Sequence, residues 1–341
     1  MANLPTYEQI GIASSWIMII CRICQGFSSM GEIVGAEVYV TEAVKPPAQY
    51  PIVTIIAIFS IVGGTAALGI ASLVTSYGFN WRIAFWIGAG VAIISTAART
   101  TLREAPDFIA AKAKIQKALA KADGNEESSE NSPTINEAVN KKTIAALFAI
   151  QCGWPICFYF SYIHCGGMFK DFFGYTSEQV IHQNFLASMA NLLGYIAIAI
   201  LSYKIHPLKI LQTKLAAYSI FILICPYLLY HIDTPFELCL IQSFSMLFIL
   251  STNPAMSVLY THLPIFKRFG CATMVFAISR ALMAILTSFG FTYLERYLGH
   301  WGLLVVMAPL CLCFAFGLHH FAKLEIEAER YRQKKSPVAT A

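Results

Sequence analysis

The chain has 341 residues, 57% of them hydrophobic and only 13% charged, and its mean hydropathy is +0.60. A soluble domain carries about 25% charged residues, so this composition belongs to a chain that lives in lipid. The formal charge of +5 is small and its basic residues lie in short connections, which argues against a nucleic-acid-binding face.

Nine apolar runs can be marked, near residues 10–40, 51–75, 82–102, 143–165, 183–203, 209–230, 236–260, 270–291 and 300–321. Each is long enough for a bilayer-crossing helix, and the first is longer than one requires. Pro46, Pro47 and Pro51 close the first run and open the second. Lys and Arg concentrate in alternate connections: Lys45, then the stretch from Arg99 to Lys142, then Lys204 and Lys209, then Lys267 and Arg268, then the tail. The positive-inside rule therefore predicts an outside N-terminus and a cytoplasmic C-terminus. That orientation needs an odd number of spans, in agreement with nine. MANLPTYEQ lacks the basic start of a cleavable signal peptide.

The one long polar stretch is 103–142, Ala/Lys-rich up to about Asp123 and then the acidic GNEESSENSPT. It reads as a cytoplasmic link between 1–102 (three helices) and 143–321 (six helices), with 322–341 as a cytoplasmic tail. The ten cysteines are scattered. Cys21 and Cys24 form a CxxC inside an apolar run, with no second pair or histidine spacing to complete a zinc site. No metal and no cofactor is expected, and HExxH, GxSxG and Walker motifs are absent, so an enzyme is not expected either.

The stretch 22–44, RICQGFSSMGEIVGAEVYVTEAV, departs from the apolar rule. At about 100° per residue, Arg22, Gln25, Gly26, Ser29, Glu32 and Ala36 fall within roughly a third of the helix circumference, with Glu37 just beyond. Ionisable groups in a span mark a pathway or a packing contact. Gly31 and Gly35 have the small-xxx-small spacing that lets another helix approach closely. Because the first run is longer than a bilayer needs, its Glu37–Glu42 end is expected to protrude.

The string RxxQGFSxxGE, followed by Gly35, Tyr39 and Glu42, resembles the fourth transmembrane helix of major facilitator transporters. Within them it is most similar to the metabolite:proton symporters, which include the proline/glycine-betaine transporters. LREAPDF at 102–108, with Arg103, Glu104 and Pro106, looks like the family's motif after helix six. KRFG at 267–270 loosely resembles the opening of helix eleven. The resemblance implies an all-α polytopic bundle of the major facilitator type, in which the nine spans are family helices four to twelve. Family helices one to three would then come from another chain or from self-association, or the chain would be a non-transporting remnant.

Several positions depart from the family pattern. The second loop motif reads Ser202-Tyr203-Lys204-Ile205-His206-Pro207, the stretch before KRFG reads Thr261-His262-Leu263-Pro264, and an expected Arg-Gly pair is replaced by Ala48-Gln49-Tyr50. These positions resemble the family's gating latches.

The resemblance implies proton coupling or gating by Arg22 and Glu32, with Gln25 between them, against a static interhelical role. Arg22 and Glu32 are about 15 Å apart along the axis, so they need partners on other helices. Gly26, Gly31 and Gly35 read as packing residues. Arg280 sits mid-span as a carboxylate contact, or else as an interhelical partner. Asn191 and Asn253 read as pathway residues or interhelical glue, as Asn184 and Gln242 do. Trp154, Tyr159 and Tyr162 offer an aromatic box for a quaternary ammonium, or ordinary interfacial aromatics. The expected activity is proton-coupled symport of proline, glycine betaine or an organic acid across a bacterial inner membrane by alternating access. The expected partners are that solute, a proton and membrane lipid.

Overall fold

The computed structural model describes residues 3–80, 82–100 and 139–335. After a single helical turn, Tyr7–Ile10, the helices are α1 (Ile12–Ala43), α2 (Gln49–Ser76), α3 (Arg82–Arg99), α4 (Lys141–Phe173), α5 (Ser177–Ser202) and α6 (Pro207–Tyr230). They are followed by α7 (Pro235–Leu247), α8 (Met256–Thr261), α9 (Ile265–Leu298) and α10 (Gly302–Lys335). Among the described residues there is no β-strand.

Among the described residues six stretches are long and apolar enough to cross a membrane, and one of these, Ile265–Arg330, contains both α9 and most of α10. The 3₁₀ turn Gly299–Trp301 divides it, and two shorter apolar helices, Arg82–Ala98 and Pro235–Leu247, complete the set. Phe59, Ile93, Ile94, Ile200, Leu223, Phe289 and Leu312 are all exposed, pointing outward. Apolar side chains on the outside as well as inside are what lipid permits and water does not.

Two elements depart from a simple helix. The run near 236–260 is expected as one helix, but α7 stops at Leu247 and helix resumes only at Met256. Pro254 supplies no N–H to the helix ladder and disfavours helical backbone at Asn253. The irregular segment is tolerated because Ile249 through Ala255 are all buried in protein, away from lipid. The second departure lies in α4, where Tyr159–His164 forms a π turn. Such a turn widens the ladder, and side chains take its carbonyls. Gln242 Nε2 donates to the Ser161 carbonyl at 2.8 Å and to Asn184 Oδ1 at 2.9 Å, and Asn184 Nδ2 donates to the Tyr162 carbonyl at 3.4 Å.

Helices α2 and α5 pack along most of their length. The hydroxyls of Thr65 and Ser188 hydrogen-bond between them, Ser72 Oγ meets His182 Nδ1 at 3.0 Å, and Ser76 Oγ donates to Glu178 Oε1 at 2.6 Å. In the second part of the chain α4 packs against α10, where Gly317 lets the backbones touch. A Cβ on Gly317 would lie 2.6 Å from the Ala146 carbonyl oxygen.

The Glu37–Glu42 end, expected to protrude from the bilayer, is enclosed by protein. Glu37 is 3% exposed and Glu42 9%, because the C-terminal part of α1 packs against α8 and α9. The N-terminal part of the same helix is largely exposed. The linker motif Arg103, Glu104 and Pro106, with most of 103–142, lies outside the described residues.

Gly317→Ala should therefore lower the thermal melting point in detergent, since overpacking costs about 1–3 kcal/mol. Gly270→Ala, whose added Cβ would meet nothing within 4 Å, should leave it unchanged. Cysteine-reactive dye unfolding would compare the two, since several of the ten cysteines are buried.

Candidate functional site

A cavity of about 270 Å³ opens where α1, α2, α4, α5, α9 and the irregular segment before α8 converge. Its apolar lining comes from Ile33, Ile56, Ala57, Ile61, Met256 and Phe276, and its polar lining from Glu37, Ser60, Gln151, Tyr195, Ser251, Thr252, Asn253 and Arg280. Trp154 completes the wall.

Phe276 and Arg280 are one helical turn apart on α9, so the ring lies beside the guanidinium on the same face. The Arg280 guanidinium carbon is 4.0 Å from the Phe276 ring centroid and 4.2 Å from that of Trp154. Two ring faces thus hold the charge in a dry setting, an arrangement worth about 0.5–2 kcal/mol per ring. They cover the faces of the guanidinium and leave its N–H edge for other contacts. Arg280 Nη1 is buried with no protein partner among the described residues, and Asn253 Oδ1 is in the same condition.

The carboxylate of the cavity is Glu37, which accepts a hydrogen bond from the Tyr260 hydroxyl at 3.2 Å and interacts electrostatically with Arg280. Behind Ser251, the buried Lys214 Nζ donates to the Ser251 hydroxyl at 2.9 Å and lies 5.7 Å from the Tyr195 ring centroid. The cavity therefore offers a cation whose Nη1 has no partner among the described residues, an acid, and aromatic and small polar walls.

Toward the start of α9 the two parts of the chain are joined by ionic contact. Arg268 Nη1 donates to Glu42 Oε1 at 2.9 Å with both side chains buried, and Arg268 Nη2 reaches the Leu263 carbonyl at 3.3 Å. Nearby, Gln49 Nε2 donates to the Thr41 carbonyl at 2.5 Å, Tyr50 meets His206 edge-on at 6.0 Å, and His262 Nε2 pairs with Glu325 at 3.2 Å. Positions that depart from the latch motifs thus still make cross-helix contacts.

Residues 4–236 match the family model for the Major Facilitator Superfamily. The chain belongs to the Major Facilitator Superfamily. It is also 30% identical over 112 residues to a Staphylococcus aureus (strain COL) protein named as a proposed proline/betaine transporter, a match spanning 31% of this chain and 24% of the relative. The proline/betaine transporters of Escherichia coli (strain K12) and Salmonella typhimurium (strain LT2) match at 30% over 112 residues, 31% of this chain and 22% of each relative. The matched region thus covers about a quarter of the length of these relatives. As a major facilitator protein with apolar helices throughout, the chain is a multi-pass membrane protein.

Of the residues expected at the site from sequence, Arg280, Asn253 and Trp154 line the cavity. Trp154 presents its face to Arg280, so the aromatic box is not an open one. Tyr159 packs against Phe291 and Tyr162 against Phe158, and neither lines the cavity. Asn191 is buried elsewhere, with its Oδ1 lacking a protein partner. Arg22 and Gln25 are exposed and bonded to each other at 3.4 Å, and Glu32 is exposed on the same helix. Neither they nor Gly26 and Gly31 reach the cavity. A Cβ on Gly26 or Gly31 would meet nothing within 4 Å among the described residues, whereas one on Gly35 would lie 3.6 Å from Phe269.

Sequence reasoning noted Glu37 beside the polar arc without placing it at the site, and missed Tyr260, Tyr195 and Lys214. For Lys214 the signal was present: a lysine eight positions into an apolar helix.

Breaking a buried ion pair by neutralising one partner costs about 3–5 kcal/mol. Glu42→Gln and Arg268→Gln should each lower the melting point, and the double variant should be markedly less destabilised than the two losses added. Additive losses in that cycle would contradict direct pairing.

Proposed function

We propose that this chain carries a small zwitterion with a single carboxylate, of the proline or glycine betaine kind, together with a proton across the bacterial inner membrane by alternating access. The observation that carries this reading is the buried Arg280 Nη1, without a protein partner among the described residues, in a cavity that also holds Glu37. A carboxylate satisfies the guanidinium through two parallel N–H···O bonds. Glu37 then faces the cationic end of the solute, or takes up the proton, beside a cation whose charge the solute has neutralised.

Size and charge support the same class. About 270 Å³ lies just below the range of ligand sites, about 300 to 1,000 Å³, and so suits a small solute. Among the described cavity-lining residues Arg280 is the one cation, which suits one carboxylate better than three. The names of the matched relatives point to proline and betaine. In this reading the Glu42–Arg268 pair is a latch that breaks and reforms as the two parts of the chain rock about the cavity. Such a cycle is transport, with no bond in the solute made or broken.

The exposed Arg22–Gln25 face of α1 favours one further reading: in the membrane this face is covered by additional helices, from a second chain or from self-association, with lipid elsewhere. Charged groups facing hydrocarbon cost about 2.5–3.5 kcal/mol each on insertion scales. A Gln25→Cys variant should then cross-link to a neighbour in native membranes, and a monomeric product alone would contradict the cover.

The test of transport is uptake of labelled glycine betaine and proline in transporter-deficient cells, with expression in the membrane checked for each variant. Uptake should collapse with a protonophore and fall at least about tenfold in Glu37→Gln, a loss of about 1.4 kcal/mol. Arg280→Gln should abolish it. Uptake indifferent to both substitutions, or none from correctly inserted chain, would contradict the reading.

A further inference from the structure

We propose that His164, Glu295 and His300 form a binding site for one divalent metal ion of the zinc class at the end of the bundle opposite the Glu42–Arg268 pair. Glu295 lies fifteen residues beyond Arg280 on α9, roughly 22 Å along the helix axis, so this site is separate from the cavity and stands without the transport reading.

The backbone brings the three side chains together from separate segments. The π turn of α4 ends at His164, and Gly299, with φ of +57°, reverses the chain after α9 and returns His300 over Glu295. A residue with a Cβ adopts that φ only with strain. His164 Nδ1 lies 3.5 Å from Glu295 Oε2, and His300 Nδ1 lies 3.2 Å from Glu295 Oε1. One ligand atom from each residue falls within 4.8 Å of the other two.

Tetrahedral zinc binds N and O donors at about 2.0–2.1 Å, which sets those donors about 3.3 Å apart. The two carboxylate edges, one on each oxygen of Glu295, are already near that spacing, and closing the three-atom set from within 4.8 Å takes side-chain rotation of about an ångström. Two imidazoles and one carboxylate are a zinc-type donor set, and three protein ligands leave a fourth position for water.

Burial supports a built site. The two histidine side chains are 7% and 11% exposed, while Glu295 keeps 33% and so leaves a way in. His300 Nδ1 is shut off from solvent and lies against the Glu295 carboxylate, so an ion bound between them would be ligated by both. Tyr230 contacts His300 edge-on at 4.9 Å and Phe160 stacks on His164 at 5.7 Å, holding the imidazoles in place. No local spacing in the sequence announces the set, because its members lie on α4, at the end of α9 and in the following turn. A bound ion would staple these three segments to one another.

The experiment uses the full chain purified in detergent without a polyhistidine tag. Co²⁺ titration should produce the intense visible absorption of a four-coordinate ion at one equivalent, and Zn²⁺ should bleach it. His300→Ala, in a turn, and Glu295→Gln, at a partly exposed position, should each weaken binding by about tenfold or more. Both should elute as wild type on size exclusion. A Cys21→Ser/Cys24→Ser variant should bind as wild type does. No cobalt band in the wild-type protein, binding untouched by both substitutions, or binding lost in the cysteine variant would each overturn the site.

Discussion

Charge inside hydrocarbon must be answered by charge, dipole or an aromatic face, because no water is present to do it. The described part of this chain is built around three such answers. Glu42 and Arg268 neutralise each other, Lys214 is held by a hydroxyl and a ring, and Arg280 is held between two rings. The third is incomplete, since rings cover the faces of a guanidinium and leave its edge. The Nη1 left without a partner among the described residues, in a cavity with an acid, is what turns a packed bundle into a candidate carrier.

The same constraint explains the irregular backbone. A helix interrupted between Leu247 and Met256 would be costly against lipid, but here the gap is enclosed and contributes Ser251, Thr252 and Asn253 to the cavity wall. The π turn of α4 is paid for by Gln242 and Asn184, whose amides take the carbonyls it loosens. Strain in the ladder and polar residues from other helices therefore occur together, next to the cavity and next to the His164 cluster.

The helices were largely legible in the sequence, since apolar length and loop charge report directly on span position. The site was legible only in part. Arg280 stood out because a cation in mid-span has few bland explanations. Glu37 did not, because a helical wheel gives direction without depth: it grouped Glu32 with Arg22, although only the C-terminal part of α1 is enclosed by α8 and α9. Lys214 lies inside the apolar run near 209–230, where the run's composition hides a single cation. The irregular segment hid inside a run apolar enough to read as one helix. The family match ends at residue 236, so Ser251, Asn253 and Arg280 rest on geometry rather than on that match.

The most direct measurement is equilibrium binding of labelled glycine betaine to the purified full chain, competed by an uncharged isostere lacking the carboxylate and by choline, which keeps only the quaternary ammonium. Binding that neither competitor displaces, and that is lost in Arg280→Gln while the variant melts as wild type does, is the expected result. Binding retained in Arg280→Gln, or displaced fully by choline, would contradict the assignment of the cavity to a carboxylate.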